Sequence, residues 1–154
     1  MRIGTLHDGR VLVVHHVFRP DHSYQVLQVG SLLPLHATAL GKALLAANPY
    51  VLSELGREEL SRFTPRTITD GKQLTAALKE IKKRGWAADI GELVDGQCSV
   101  AAPITDRSEQ TVGSIAISGP IERLCEAEMP RSDLVEYVRE SARSISRDLG
   151  AIPW

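Results

Sequence analysis

An acidic residue inside an apolar segment is the first candidate for chemistry in this sequence. Asp89 is flanked by Ala87, Ala88 and Ile90 in a segment that predicts a short strand. A carboxylate buried among such neighbours needs a hydrogen-bonding partner, and a hydroxyl or amine of a bound molecule could supply one. Capping of nearby backbone N–H groups by the same carboxylate is the alternative interpretation.

A second candidate is a row of small residues on a later strand. Across residues 113–119, Ser114, Ala116 and Ser118 alternate with two isoleucines, so one strand face is apolar and the other is small and polar. Such a face leaves room for a ligand, with Ser118 as the main hydrogen-bonding group. A solvent-exposed face of an antiparallel sheet would show the same pattern.

The third candidate is the start of an Ala- and Leu-rich helix after Pro34. Residues 38–47 place small or apolar side chains on every face, which predicts a helix in the core. The first N–H groups of a helix lack partners, so the backbone of Thr38, Ala39 and Leu40 could bind an acceptor group of a ligand. Plain packing of a core helix is the alternative.

Strands and helices in a particular order must position these residues. Asp8-Gly9 between β-branched flanks predicts a β-hairpin. Further strands are expected over residues 24–29, 86–90, 98–105 and 111–118. Helices are expected over residues 38–47, from Asp70 to Gly85 and over 132–149, the last with Ser132 as N-cap. Short helical turns are expected over residues 49–55 and 58–63. Residues 64–67 are expected to be extended. This order favours an α/β (α+β) fold with an antiparallel sheet rather than a parallel nucleotide-binding sheet.

Composition excludes several classes of function. A net charge of −1 without long basic runs does not match a nucleic-acid-binding surface. Cys98 and Cys125 show no metal-ligand or disulfide-framework spacing, which indicates reduced thiols in a cytoplasmic protein. No apolar run is long enough to span a bilayer, and no signal peptide is predicted. Dinucleotide, Walker, zinc-protease and nucleophile-elbow motifs do not occur, so we expect neither a cofactor nor a metal ion.

Five segments carry a family pattern in a fixed order. They are PLHATALGKALLA at residues 34–46, TITD at 67–70, RGWAAD at 84–89, VAAPI at 100–104 and GSIAISGP at 113–120. Together they closely resemble the effector-binding domain of IclR-type bacterial transcriptional regulators, and the resemblance covers essentially the whole chain.

The resemblance implies a GAF/PAS-like fold, with a twisted antiparallel sheet flanked by helices, as one domain over residues 1–154. It implies binding of a small metabolite, often an organic acid, and self-association as dimers or tetramers. In full-length members this domain follows an N-terminal winged helix-turn-helix that binds DNA. We expect DNA binding only through that domain, which is missing from this chain, and we expect no enzymatic activity and no membrane contact.

The resemblance also assigns a pocket between the sheet and the loop into the first core helix. Its effector-binding residues would be Thr38, Ala39, Leu40, Asp89, Ser99 and Ser118, with Leu33, Leu40, Leu27 and Val29 as apolar walls and Cys98 next to Ser99. Relatives often carry cysteine where this chain has Ser99. Adjacent strand residues face opposite sides, so Cys98 should face away if Ser99 faces the pocket; the sequence does not decide which of the two does.

Two other functions are compatible with these residues. A small enzyme on the same scaffold would use Cys98 or Ser99 as nucleophile and His36, or a histidine of the second predicted strand, as base. A pure dimerisation module would have a filled pocket. The space around Ala39, Ala116 and Ser118 separates these possibilities, because an open cavity there indicates a ligand and a filled one indicates a structural role.

Overall fold

The computed structural model describes residues 1–20, 28–57 and 59–152. Its strands are β1 (Arg2–His7), β2 (Arg10–His16), β3 (Leu32–Leu33), β4 (Ala87–Ile90), β5 (Gln97–Thr105), β6 (Thr111–Pro120), β7 (Cys125–Glu126) and β8 (Met129–Pro130). Its helices are α1 (Ala39–Ala46), α2 (Pro49–Leu55), α3 (Gly71–Arg84), α4 (Ile121–Leu124) and α5 (Ser132–Asp148).

Within the described residues, six strands form one sheet in the order β3-β2-β1-β6-β5-β4, and every neighbouring pair is antiparallel. The predicted antiparallel α+β fold is therefore confirmed. The hairpin between β1 and β2 turns at Asp8 and Gly9, whose φ angles of 47° and 72° are both positive, as a tight turn of this kind needs. A separate small hairpin pairs β7 with β8.

The two faces of the sheet are covered by different helices. On the inner face, α1 packs against β5 and β6, and α3 packs against α1. The core there includes Leu35, Leu40, Leu44, Ala101 and Ala116. On the outer face, α5 packs against β5 and β6 through its own set of apolar side chains. Because helices cover both faces of the sheet, the uncovered ends of the inner face are the places where a cavity can form.

Helix α1 is the most deeply buried element, as its composition predicts. Residues 39–45 are all buried, and the Thr38 hydroxyl accepts a hydrogen bond from the Gly41 N–H at 3.0 Å, which caps the helix. Gly41 lies directly against Leu35, where an added Cβ would overlap the Leu35 carbonyl oxygen. The glycine thus allows α1 to pack against the segment that leads into it.

Several boundary predictions are wrong. Residues 59–63 are not helical, and residues 64–67 bend into a turn instead of running extended. The Thr67 hydroxyl holds this turn by accepting hydrogen bonds from the N–H groups of Phe63 and Thr64 at 3.0 and 2.9 Å. Arg131, not Ser132, is the N-cap of α5. Of the strand expected over 24–29, residues 24–27 lie outside the described part of the chain, and residues 28 and 29 are not in a strand.

Candidate functional site

A cavity of about 280 Å³ opens at one end of the inner sheet face. It lies beyond the part of the face that α1 covers. Strands β1, β4, β5 and β6 each contribute a polar side chain to it, in the order Arg2, Asp89, Ser99 and Ser118. Other lining residues are Leu33, His16, Arg19, Gln28, Leu93, Val94, Gln97, Cys98, Gly119 and Met1.

Strand register brings the polar side chains to the same face. Asp89 is directly opposite Ser99, and Ser99 is directly opposite Ser118. Arg2 is opposite Ala116, which is two residues before Ser118 and therefore on the same side of β6. Cross-strand neighbours on one face lie about 5 Å apart, so these four side chains converge on one small volume.

Arg2 brings a guanidinium group to the cavity wall. Its Nη2 atom donates to the Ser118 hydroxyl at 2.7 Å, and its Nη1 atom donates to the side-chain oxygen of Gln28. Burial lowers the pKa of Arg2, whereas the nearby negative charge of Asp89 opposes that shift. Sequence reasoning missed this arginine because the bond to Ser118 joins residues 116 positions apart.

Asp89 is buried and caps the turn that follows β4. Its Oδ1 atom accepts a hydrogen bond from the Glu92 N–H at 2.8 Å, which is the local capping role considered as the alternative. Asp89 also lines the cavity, so the capping and ligand-facing placements coexist. Burial raises its pKa to about 6; the charge of Glu92 acts in the same direction, and the backbone hydrogen bond from Glu92 and the charge of Lys42 oppose the shift.

A buried ion pair supports the cavity from the side of α1. The Lys42 ammonium lies 2.8 and 2.7 Å from the two carboxylate oxygens of Glu92. Their side chains are only 5% and 11% exposed. Because the Glu92 N–H binds Asp89, the pair links the core helix to the cavity wall. The sequence offered no signal for it beyond a charged residue at position 42 of an otherwise small and apolar helix.

The predicted residues at the helix start lie elsewhere. Thr38, Ala39 and Leu40 are not among the residues that line the cavity. The Thr38 hydroxyl donates to the Pro34 carbonyl oxygen and accepts from the Gly41 N–H. Ala39 packs in the core, and the Leu40 carbonyl oxygen accepts a hydrogen bond from the Ser114 hydroxyl at 3.0 Å. Any contact of these three residues with an effector stays a prediction.

Leu33 lines the cavity as an apolar wall. Leu27 lies outside the described residues, and Val29 is half exposed and does not line the cavity.

Ser99 and Cys98 differ in orientation. Ser99 shares a face with Asp89 and Ser118, whereas the Cys98 sulfur lies 3.4 Å from that of Cys125. The thiol of Cys98 therefore points away from the polar wall, although the residue touches the cavity. His36, the base considered for an enzyme, is hydrogen-bonded through Nε2 to the carbonyl oxygen of Ser61 at 2.8 Å.

The described part of the chain contains neither a candidate metal site nor a helix that could cross a membrane. Residues 1–20, 28–57 and 59–152 contain no group of three or more His, Cys, Asp or Glu side chains that could hold a metal ion. Within the same ranges, none of the helices combines the length and apolar character needed to cross a membrane.

An antiparallel sheet with helices on both faces places the chain in the GAF/PAS-like class of α+β domains. The family model described as "Bacterial transcriptional regulator IclR C-terminal" matches residues 1–147. The chain therefore belongs to the IclR family of bacterial transcriptional regulators, as a C-terminal domain with the GAF/PAS-like fold.

Known relatives agree with this assignment. The chain is 46% identical over 149 residues to the glycerol operon regulatory protein of Streptomyces griseus, covering 97% of this chain and 59% of the relative. It is 47% identical over 151 residues to the protein of the same name from Streptomyces coelicolor, with coverage of 98% and 59%. The chain thus spans less than two thirds of the length of these relatives.

A solved structure with a bound ligand has the same fold. An IclR homologue from Microbacterium hydrocarbonoxydans, crystallised in complex with 4-hydroxybenzoate, matches with a TM-score of 0.85 at 26% identity. The match covers 96% of this chain and 59% of that one.

Proposed function

We propose that this chain is one ligand-sensing and oligomerisation domain, spanning residues 1–154, and that the cavity bounded by Arg2, Asp89, Ser99 and Ser118 binds its small-molecule effector. The observation that carries the proposal is the open volume of about 280 Å³ on which these four side chains converge. A pure dimerisation module would have this volume filled. Ala39 and Ala116 are packed in the core, but the space next to Ser118 is open.

The charges in the wall favour a particular kind of effector. Arg2 offers guanidinium donors and Asp89 offers acceptor oxygens, with the hydroxyls of Ser99 and Ser118 between them. A small metabolite with an acidic group near Arg2 and a hydroxyl near Asp89 would satisfy both ends. Two relatives are named as glycerol operon regulators, and one structural neighbour was crystallised with a hydroxylated aromatic acid. These names support a hydroxylated organic acid or a similar polar molecule.

Signalling would pass from the cavity to DNA through other parts of the full-length protein. The effector would bind two arrangements of a dimer or tetramer with different affinities and so shift their populations. That shift would move an N-terminal winged helix-turn-helix, the part through which we expect DNA binding. We place the protein in the cytoplasm, without a membrane partner.

The site is proposed as a sensor rather than an enzyme. Burial, together with the contact with Cys125, raises the pKa of the Cys98 thiol to about 12, which disfavours a nucleophilic thiolate at neutral pH. Of the candidate bases, His36 is hydrogen-bonded to the carbonyl oxygen of Ser61, and the Nδ1 atom of His16, which lines the cavity, accepts a hydrogen bond from the Gln28 N–H at 3.2 Å.

A thermal-shift panel tests the proposal. The panel contains glycerol, oxyanion derivatives of glycerol, small hydroxy acids and 4-hydroxybenzoate. A ligand specific to the folded state raises the melting temperature by roughly 5 °C or more at a hundredfold excess over its Kd. Ser118→Ala should remove most of that shift because the hydroxyl and its hold on Arg2 are lost.

Ser108→Ala is the matched control, since Ser108 is exposed in the turn between β5 and β6, at the far end of the sheet from Ser118. If the whole panel leaves the melting temperature unchanged, or if Ser118→Ala and Ser108→Ala behave alike with an active ligand, this cavity is not the effector site.

A further inference from the structure

The two cysteines of the chain meet on the outer side of the cavity wall. Cys98 is the second residue of β5, and Cys125 begins β7 directly after α4. Their sulfur atoms lie 3.4 Å apart, and both residues are free thiols. The residues are 27 positions apart, so the contact arises from the fold and not from local sequence.

We propose that Cys98 and Cys125 form a reversible intramolecular disulfide, a redox modification site, when the protein meets a peroxide-class oxidant. A disulfide requires a sulfur–sulfur distance of about 2.05 Å, so the two sulfur atoms together need to move by only about 1.4 Å from their present 3.4 Å. Small rotations of the two side chains are of this size. The thiols are the reduced form of the site.

The two sulfur atoms differ in solvent exposure, and this difference assigns which one reacts with the oxidant first. Cys125 is partly exposed, whereas Cys98 is 1% exposed. The Cys125 thiolate attacks one peroxide oxygen; the O–O bond breaks, and Cys125 becomes a sulfenic acid with release of hydroxide. The Cys98 sulfur then attacks the Cys125 sulfur, the S–O bond breaks, and the Cys98 proton leaves with the hydroxyl group as water. In total, two thiols and one hydrogen peroxide give one disulfide and two waters.

The crosslink would join strand β5, which borders the cavity, to the segment of α4 and β7 behind it. Cys98 pairs with Gly119, which lines the cavity, and precedes Ser99 in β5. Leu124, next to Cys125, packs so closely on Gly119 that an added Cβ there would lie 2.9 Å from the Leu124 Cδ1 atom. A disulfide would therefore fix the segment of α4 and β7 to the strand that carries Ser99.

Thiol mapping of the purified chain tests the proposal without reference to any effector. The reduced protein is treated with hydrogen peroxide or diamide, alkylated under denaturing conditions and digested with trypsin. We expect loss of both thiols, a crosslink between the peptides of residues 85–107 and 124–131, and a monomeric band on a non-reducing gel. Because the bond closes a loop of about 27 residues, the melting temperature should rise by roughly 5 °C or more.

Cys125→Ser is the control, because the site is only partly buried and serine keeps the side-chain shape. In this variant we expect no crosslinked peptide and no rise in melting temperature on oxidation. Dithiothreitol should reverse both changes in the parent chain. The proposal is overturned if neither oxidant removes the thiols, if Cys125 is oxidised to sulfinic acid while Cys98 stays reduced, or if the product is a disulfide between two chains.

Discussion

Two neighbouring positions on the same face of β6 have opposite surroundings. Ala116 is fully buried in the core, whereas Ser118, two residues later, is partly exposed and lines the cavity. The strand geometry is the same at both, so the difference comes from what covers them. Helix α1 packs over the sheet as far as Ala116, and beyond it the open cavity begins. One sheet face thus serves as core at one end and as ligand wall at the other.

Two sets of buried charged groups also differ in how they are neutralised. Where α1 meets the turn after β4, the buried charges of Lys42 and Glu92 neutralise each other at hydrogen-bonding distance. At the cavity end, the Asp89 carboxylate is buried with a raised pKa of about 6, and its hydrogen bond comes from the backbone. The ion pair is satisfied within the protein, whereas the Asp89 carboxyl group lines the cavity, where a ligand can reach it.

The largest expected effect comes from breaking the buried ion pair. Lys42→Met leaves the Glu92 carboxylate without its partner in a nearly dry position, which should cost about 3–5 kcal/mol of unfolding free energy. Urea denaturation measures the loss. The exposed pair of Arg57 and Glu54, 3.3 Å apart, is the control, and Arg57→Met should change stability by less than about 1 kcal/mol. Equal costs for the two variants would show that the burial of the Lys42–Glu92 pair does not contribute to stability.

The next effect is a pH dependence at Asp89. Its pKa is raised from 3.8 to about 6 in the folded state, so between these values the native protein binds more protons than the unfolded chain, and stability falls as the pH rises. The cost of ionisation reaches up to about 3 kcal/mol above pH 6. Asp89→Asn removes this cost, so its stability relative to the parent chain should improve from pH 4 to pH 7.5.

Urea denaturation of both proteins across this pH range measures the difference. Asp148→Asn, at the exposed end of α5, is the control and should show a flat difference. A flat difference for Asp89→Asn as well would mean that the carboxylate is not held in a desolvated position.

Short-range patterns in the sequence were enough to predict much of the fold. The Asp8-Gly9 turn, the buried α1 and the helix expected from Asp70 to Gly85, whose two ends cap α3, are confirmed, because each depends on residues close together in the chain. Residues 59–67 were predicted wrongly because side-chain bonds of Thr67, including one from its hydroxyl to the Glu92 carbonyl oxygen, override local propensity there.

Only part of the candidate site could be predicted from the sequence. Alternation along β6 and the apolar neighbours of Asp89 indicated two wall residues, and the family resemblance added Ser99 and Leu33, all of which line the cavity. Whether they bind an effector stays a prediction. Arg2 and the pair of Lys42 and Glu92 could not be found this way, because their partners are 116 and 50 positions distant.

A smaller effect on the free energy of unfolding tests how closely α1 packs against Leu35. Gly41→Ala places a methyl group where the Leu35 backbone lies, so it should cost about 1–3 kcal/mol despite the better helix propensity of alanine. Gly71→Ala is a matched control at the start of α3, where an added Cβ meets nothing within 4 Å, and it should be neutral or slightly stabilising. Thermal unfolding of both variants compares them. A neutral Gly41→Ala would mean that α1 can move away from Leu35 freely.

The smallest expected difference in unfolding free energy is between substitutions at Ala116 and Ser118 of β6. Ala116→Val overpacks the core and should cost about 1–3 kcal/mol. Ser118→Val projects into open space and should cost about 1 kcal/mol, mainly the lost hydrogen bond from Arg2, while it reduces the cavity volume. Chemical denaturation ranks the two. If Ser118→Val is the more destabilising variant, the space next to it is not open in solution.

The most direct test of the cavity as effector site is a crystal structure of the chain with a ligand selected by the thermal-shift panel. We predict ligand density between the Arg2 guanidinium and the Asp89 carboxyl group, with the hydroxyl of Ser99 or Ser118 within hydrogen-bonding distance. Ligand density in another part of the molecule, with the cavity bounded by these four residues empty or filled by side chains, would contradict the account.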